Sequence, residues 1–194
     1  EGMRRFEAMR AGEAVDPDLK DVLMNLAVSN GGRAAYDAVM KMYLENAEHA
    51  ETRVKCLVAL AKAKDPAIIA EFLDWAIKGD VVRKMDLLYA FMALSSRRDS
   101  RRQMWDYVRA NWGTLMAKFE GNAMLLSHVA TLPLKGFGEA SVADEAEAFF
   151  KENPCPSAAV PISRALEEIR GQAAWLEREG DAIGAFFEEW TKSA

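Results

Sequence analysis

Histidine and cysteine are scarce in this 194-residue chain: two of each, His49 and His128, Cys56 and Cys155. A zinc peptidase centre of the His-Glu-x-x-His type needs two imidazoles one helical turn apart with the glutamate as base. Neither histidine has such a partner. Two cysteines without a local pairing pattern make neither a disulfide framework nor a zinc site. Cys56, inside the apolar run CLVAL, reads as a buried free thiol in a reducing compartment. The chain also lacks a glycine-rich phosphate loop, and no serine or cysteine occupies the sharp glycine turn that presents a hydrolase nucleophile. Gly31, Gly32 and Arg33 read instead as a helix stop and restart. No apolar run reaches the roughly eighteen residues of a membrane span, and no signal peptide opens the sequence. The net charge of −5 makes nucleic acid a poor match as partner. One basic cluster, Arg97, Arg98, Arg101 and Arg102, reads as a solvated helix start. No acid, base and nucleophile converge, so no catalytic residue, no metal ligand and no cofactor site is expected in this chain. Neither nucleic acid nor membrane is expected as a partner, and a cytoplasmic location is expected.

What is abundant is helical pattern. Half of the residues are hydrophobic, 51%, and they recur with a period of 3.6 almost throughout. Asp16-Pro17 and Asp65-Pro66 mark two helix starts, because Asp can cap the N-terminus and Pro costs nothing in the first turn. Gly31-Gly32 and Gly79 stand where those helices would stop. In AETRVKCLVALAKAK, Val54, Leu57, Val58 and Ala61 form one stripe. SRRQMWDYVRANWGTLMAKF reads as a single helix, and PISRALEEIRGQAAWLEREGDAIGAFFEEW as another. Only Pro133 to Ser141 and Glu152 to Pro161 look like breaks. No useful strand alternation appears. The pattern predicts an all-α fold of about ten to twelve helices with under about 5% strand. Short connections make consecutive helices antiparallel neighbours. The expected architecture is therefore an α-α superhelix, a solenoid of antiparallel helical hairpins, occupying residues 1–194 as one domain. The opening EGMRRFEAM already runs in helical register, so the chain is expected to begin inside a larger protein.

Trp105 and Trp112 stand seven residues apart, nearly two turns, and so point to nearly the same helix face, extended by Val108 and Leu115. Aromatic side chains dominate core burial, so this face reads as a seam between helices rather than a ligand platform. Trp175 and Trp190, with Leu176, Ile183, Phe186 and Phe187, form a similar stripe near the end.

The order of these pieces carries a resemblance. RRFEAMRAGEAVDPDLKDVLMNLAVSNGG is followed by ETRVKCLVALAKAKDPAIIAEFLDWAI. Then comes VVRKMD, whose Val82, Arg83 and Asp86 match a Val-Arg-x-Gln-Asp box, with Met85 in place of Gln. MWDYVRANWGTL carries Trp105, Tyr107, Asn111 and Trp112 in a Trp-x-Phe-x-x-x-Asn-Trp pattern. EAEAFFKENP and ALEEIRGQAAWLERE close the series. The chain resembles the C-terminal helical domain of the M1 zinc aminopeptidases, most closely the puromycin-sensitive branch. The resemblance implies a superhelix of HEAT-like or armadillo-like hairpins that walls a substrate chamber. It implies that zinc and the catalytic residues belong to a separate catalytic domain of the same parent chain, and that the partners are that domain and peptide substrates. GNAML, Gly121 to Leu125, is only a partial look-alike of the family's exopeptidase motif. Two residues are candidate peptide contacts on the strength of the resemblance, Arg83 and His128. Each has a plainer reading: Arg83 as partner of Asp86 or Asp80, His128 as a satisfied core group on an apolar helix. The competing function is a stand-alone helical-repeat scaffold that binds a protein partner.

Overall fold

The computed structural model describes residues 1–193, and all regular structure among them is helical. Eleven α-helices follow one another: α1 (Gly2–Arg10), α2 (Lys20–Asn30), α3 (Gly32–Glu45), α4 (Ala50–Leu60), α5 (Pro66–Lys78), α6 (Leu87–Ser95), α7 (Arg98–Ala110), α8 (Trp112–Lys118), α9 (Ala123–Thr131), α10 (Ala140–Glu152) and α11 (Ala159–Ser193). Short 3-10 turns at Pro17–Leu19, Leu132–Leu134 and Pro156–Ala158 complete the series. The two Asp-Pro starts work as their chemistry dictates. The Asp16 carboxylate accepts from the Asp18 N–H at 3.0 Å, and that of Asp65 from the Ala67 N–H at 2.8 Å. Gly32, at φ +59°, makes the reversal between α2 and α3 in a conformation that a side chain would resist.

The helices stack in two rows. In one row α2 touches α4, α4 touches α6, α6 touches α9, and α9 touches α11. In the other, α3 meets α5 through Arg33–Glu71 at 2.7 Å and through the Tyr43–Trp75 ring contact at 5.2 Å. Helix α5 then packs on α7, and side chains of α7 meet those of α10. Through α7 each helix from α2 to α5 contacts the one two places on, and past the short α8 the step becomes three, from α6 to α9 and from α7 to α10, which is the arrangement of stacked hairpins with one inserted helix. One continuous cluster of buried apolar side chains runs along the stack from Phe6 to Ile169. Side chains of one hairpin also hold the corner carbonyls of another. Ser29 donates to Lys62 O, Arg53 to Val81 O, Arg97 to Ala63 O, Arg101 to Gly136 O, Gln103 to Pro66 O and Lys118 to Gly79 O, across 28 to 39 residues of sequence. The repeat absent from the text of the sequence is present in these links. Most of these carbonyls lie in the connections between helices, where the backbone has no helical partner of its own.

The aromatic seam is real. Trp105 is fully buried and Trp112 is buried. Both rings lie edge-on to Phe149 of α10, at 5.5 and 5.8 Å, and both also meet Phe150. The Trp105 indole N–H donates to Glu145 Oε1 at 3.2 Å. Glu145 in turn accepts from Arg102 and pairs with Arg109 at 2.5 Å.

Three expectations need correction. The helix expected to run through Trp112 is two helices, because Asn111 breaks it. Its side-chain amide donates to Tyr107 O at 3.0 Å, closing α7 with a polar cap. The arginine cluster is only partly solvated. Arg97 caps the carbonyls of Lys62 and Ala63, and Arg101 reaches Gly136 O and lies over the Phe137 ring at 5.5 Å. The C-terminal stripe is not a seam. Helix α11 buries Ile162, Leu166 and Ile169, but no residue from Glu177 to Lys192 is buried. Trp175 is 41% exposed, Phe186 63% and Trp190 60%.

Candidate functional site

Arg83 lies in the connection between α5 and α6. That connection is held from below. Val82 is buried, and Val81 O accepts from the Tyr43 hydroxyl at 3.3 Å and from Arg53 at 2.6 Å. The Arg53 guanidinium also stacks over the Tyr43 ring at 4.5 Å. At the start of the connection Lys118, from the end of α8, donates to Gly79 O at 2.7 Å. The fixed backbone and α8 enclose a cleft of about 440 Å³ lined by Lys78, Asp80, Arg83, Lys84, Thr114 and Lys118, among others.

The cleft is rich in cations, and their partners differ. Lys78 pairs with Asp74 at 2.7 Å. Arg83 Nε donates to Asp86 Oδ2 at 2.7 Å, and this hydrogen bond holds the guanidinium above its ordinary pKa. Asp86 is buried while the Arg83 side chain is 55% exposed. The plainer reading of Arg83 is thus met, with Asp86 and not Asp80 as its partner. The pairing uses Nε alone, so the two terminal nitrogens remain for another acceptor. Lys118 is 3.9 Å from Asp80, at the limit of an ion pair. Lys84 is exposed and forms no ion pair among the described residues. A cleft with this balance can hold a carboxylate by charge-assisted hydrogen bonds.

His128 is elsewhere. It is exposed on α9, which corrects its reading as a core group, and it does not line the Arg83 cleft. The structure therefore does not bring the two sequence candidates into one site. Lys84 and Lys118 escaped sequence reasoning for different reasons. Lys84 adjoins Arg83 in VVRKMD, and that pair of cations was a local signal that could have marked it. Lys118 arrives from another hairpin, and nothing local to its position announces that.

Among the described residues no three histidine, cysteine, aspartate or glutamate side chains stand together in a metal-holding arrangement. His49 precedes α4 and His128 lies in α9, so the donor set does not fit zinc, and no catalytic step is derived from this chain. No helix among the described residues is long and apolar enough to cross a membrane.

Sequence comparison bears on the same residues. The family described as ERAP1-like C-terminal domain matches residues 1–171. The chain belongs to that family. It is 24% identical over 177 residues to Aminopeptidase 2, mitochondrial, of Saccharomyces cerevisiae, covering 91% of this chain and 18% of the relative. It is 29% identical over 185 residues to Aminopeptidase M1-D of Oryza sativa subsp. japonica, covering 91% and 20%. To Aminopeptidase N of Homo sapiens it is 22% identical over 181 residues, covering 92% and 19%. The chain spans about a fifth of the length of these relatives.

Proposed function

We propose that this chain is the non-catalytic C-terminal part of a larger zinc aminopeptidase, of the puromycin-sensitive branch and cytoplasmic, with its catalytic domain as partner. Its work is to wall the substrate chamber and to contact the distal part of a peptide while the amino-terminal bond is cut elsewhere. The hydrolysis itself, by zinc-activated water, is assigned to residues outside this chain. Residues 1–194 act as one superhelical domain of HEAT-like hairpins in this reading.

The observation that carries the peptide contact is the cationic cleft around Arg83. A peptide held at its amino terminus presents its carboxylate at the far end, and Arg83 and Lys84 offer that carboxylate donors and charge. His128 is the second proposed contact, at a separate point. In the parent enzyme, Arg83→Ala and Lys84→Ala should each raise KM for long peptides about three- to tenfold and leave dipeptide-sized substrates unchanged. That range corresponds to about 0.7–1.4 kcal/mol for one solvent-exposed charged contact. Lys84→Ala is the cleaner variant because it removes no partner from Asp86. Equal losses for both substrate lengths would remove the peptide-contact assignment. The competing reading, a stand-alone scaffold for a protein partner, requires that the gene encode no His-Glu-x-x-His upstream of this segment.

A further inference from the structure

Helix α11 continues well past the hairpin stack, which buries residues only in its first third and reaches Leu176 at Gly138. Between Trp175 and Phe187 it carries five large apolar side chains on one side: Trp175, Leu176, Ile183, Phe186 and Phe187, exposed by 36% to 63%. At 100° per residue they fall within a single arc of about 120°. Together they leave roughly 500 Å² of apolar surface in water, as much as the largest patch on an ordinary monomer. The family match ends at residue 171, four residues before this face begins. The segment also contains Gly180 and Gly184 inside the helix, each costing about 1 kcal/mol relative to alanine. A helical stretch with two interior glycines and no buried residue gains little from its own sequence, so its stability in water calls for a covering surface.

Charge selects among the possible covers. Glu177, Glu179, Asp181, Glu188 and Glu189 oppose only Arg178 and Lys192 along this stretch. A second copy would bring one net-acidic helix against another, and an anionic membrane would repel it. What fits is an apolar groove bordered by lysine and arginine. We infer that this face of α11 docks into such a groove on the part of the parent aminopeptidase that precedes this chain. The inference rests on the function proposed above, and it agrees with the roughly four fifths of the relatives' length that the chain does not span.

The test compares amide hydrogen exchange of residues 181–187 in the parent enzyme and in the 194-residue chain alone. Exchange in the parent should be at least 100-fold slower. Phe186→Asp with Phe187→Asp should return it to the rate of the isolated chain. Val160→Asp, at the exposed start of the same helix, should leave it slow. Equal rates in parent and isolated chain, with the parent active on aminoacyl substrates, overturn the docking and spare the functional reading. A concentration-dependent dimer of the isolated chain by sedimentation, abolished by the double variant, overturns it in favour of self-association. A gene without an upstream zinc motif and without aminopeptidase activity overturns both.

Discussion

Replacing Trp105 with alanine tests the packing of α7 against α10 at a large, fully buried side chain. The indole is fully buried and touches Phe149 at 5.5 Å and Phe150 at 6.0 Å between ring centroids. The Arg109 guanidinium lies over the ring, 5.5 Å from its centroid. Truncation removes the transfer energy of a large aromatic and leaves a cavity, in all about 3–5 kcal/mol. The lost N–H donor matters less, because Glu145 keeps Arg102 and Arg109. For a domain of this size each kcal/mol lowers Tm by about 2–4 °C, so a fall of about 6–20 °C is expected. Trp105→Phe retains most of the ring packing and should cost about half as much. A double-mutant cycle with Phe150→Ala isolates the ring contact, with an expected coupling of about 0.5–1.5 kcal/mol. Urea melts followed by far-UV circular dichroism measure all of these. A Trp105→Ala loss below about 1 kcal/mol, with an unchanged urea slope, refutes the seam as a source of stability.

Three further outcomes are expected. Asp65→Ala should cost about 1 kcal/mol by removing the cap of α5, while Asp65→Ser should cost little; equal losses would show that the cap hydrogen bond is not the cause. Burial pushes the Cys56 thiol up to about 11, so at pH 8 it should react with iodoacetamide at least 100-fold more slowly than in urea-unfolded chain. Modification of Cys56 at the unfolded rate would contradict its burial. The carboxylates of Glu71, Asp74 and Asp99 are held below their ordinary values, by Arg33, by Lys78 with Tyr107, and by Arg97 respectively. Their contribution is therefore present above the unfolded pKa near 4 and is lost as pH falls through the folded values. Tm should stay flat from about pH 7 to pH 5 and decline below about pH 4, and a rise on acidification by scanning calorimetry would contradict the pairing.

The helices were legible because their evidence is local. Asp16, Asp65 and Gly32 act within one turn of where they stand, and the 3.6-residue period reports a buried stripe whatever lies against it. The seam at Trp105 was legible for the same reason, since a crowded apolar face has to be covered by something. The same rule misjudged Trp175 and Trp190. Periodicity shows which residues share a face, but not whether a neighbour is present to cover it. Asn111 was missed because its amide competes with the helix through one short hydrogen bond that leaves the apolar pattern intact. The candidate site was half legible. Arg83 and its partner Asp86 are three residues apart, whereas Lys118 enters the cleft from 35 positions downstream and only the stacking of hairpins brings it there.

The carbonyl links between hairpins have a consequence for how the chain comes apart. A stack whose layers touched only through apolar side chains could shed them one at a time. Here Arg97, Gln103 and Lys118 reach back to the connection after α4, the first residue of α5 and the connection that follows α5, while Arg53 and Arg101 reach forward. Opening any central hairpin strands polar groups on both neighbours at once. Unfolding from the middle is thereby penalised twice, so erosion should start at α1 and at the outer half of α11 and meet a cooperative block spanning α4 to α9.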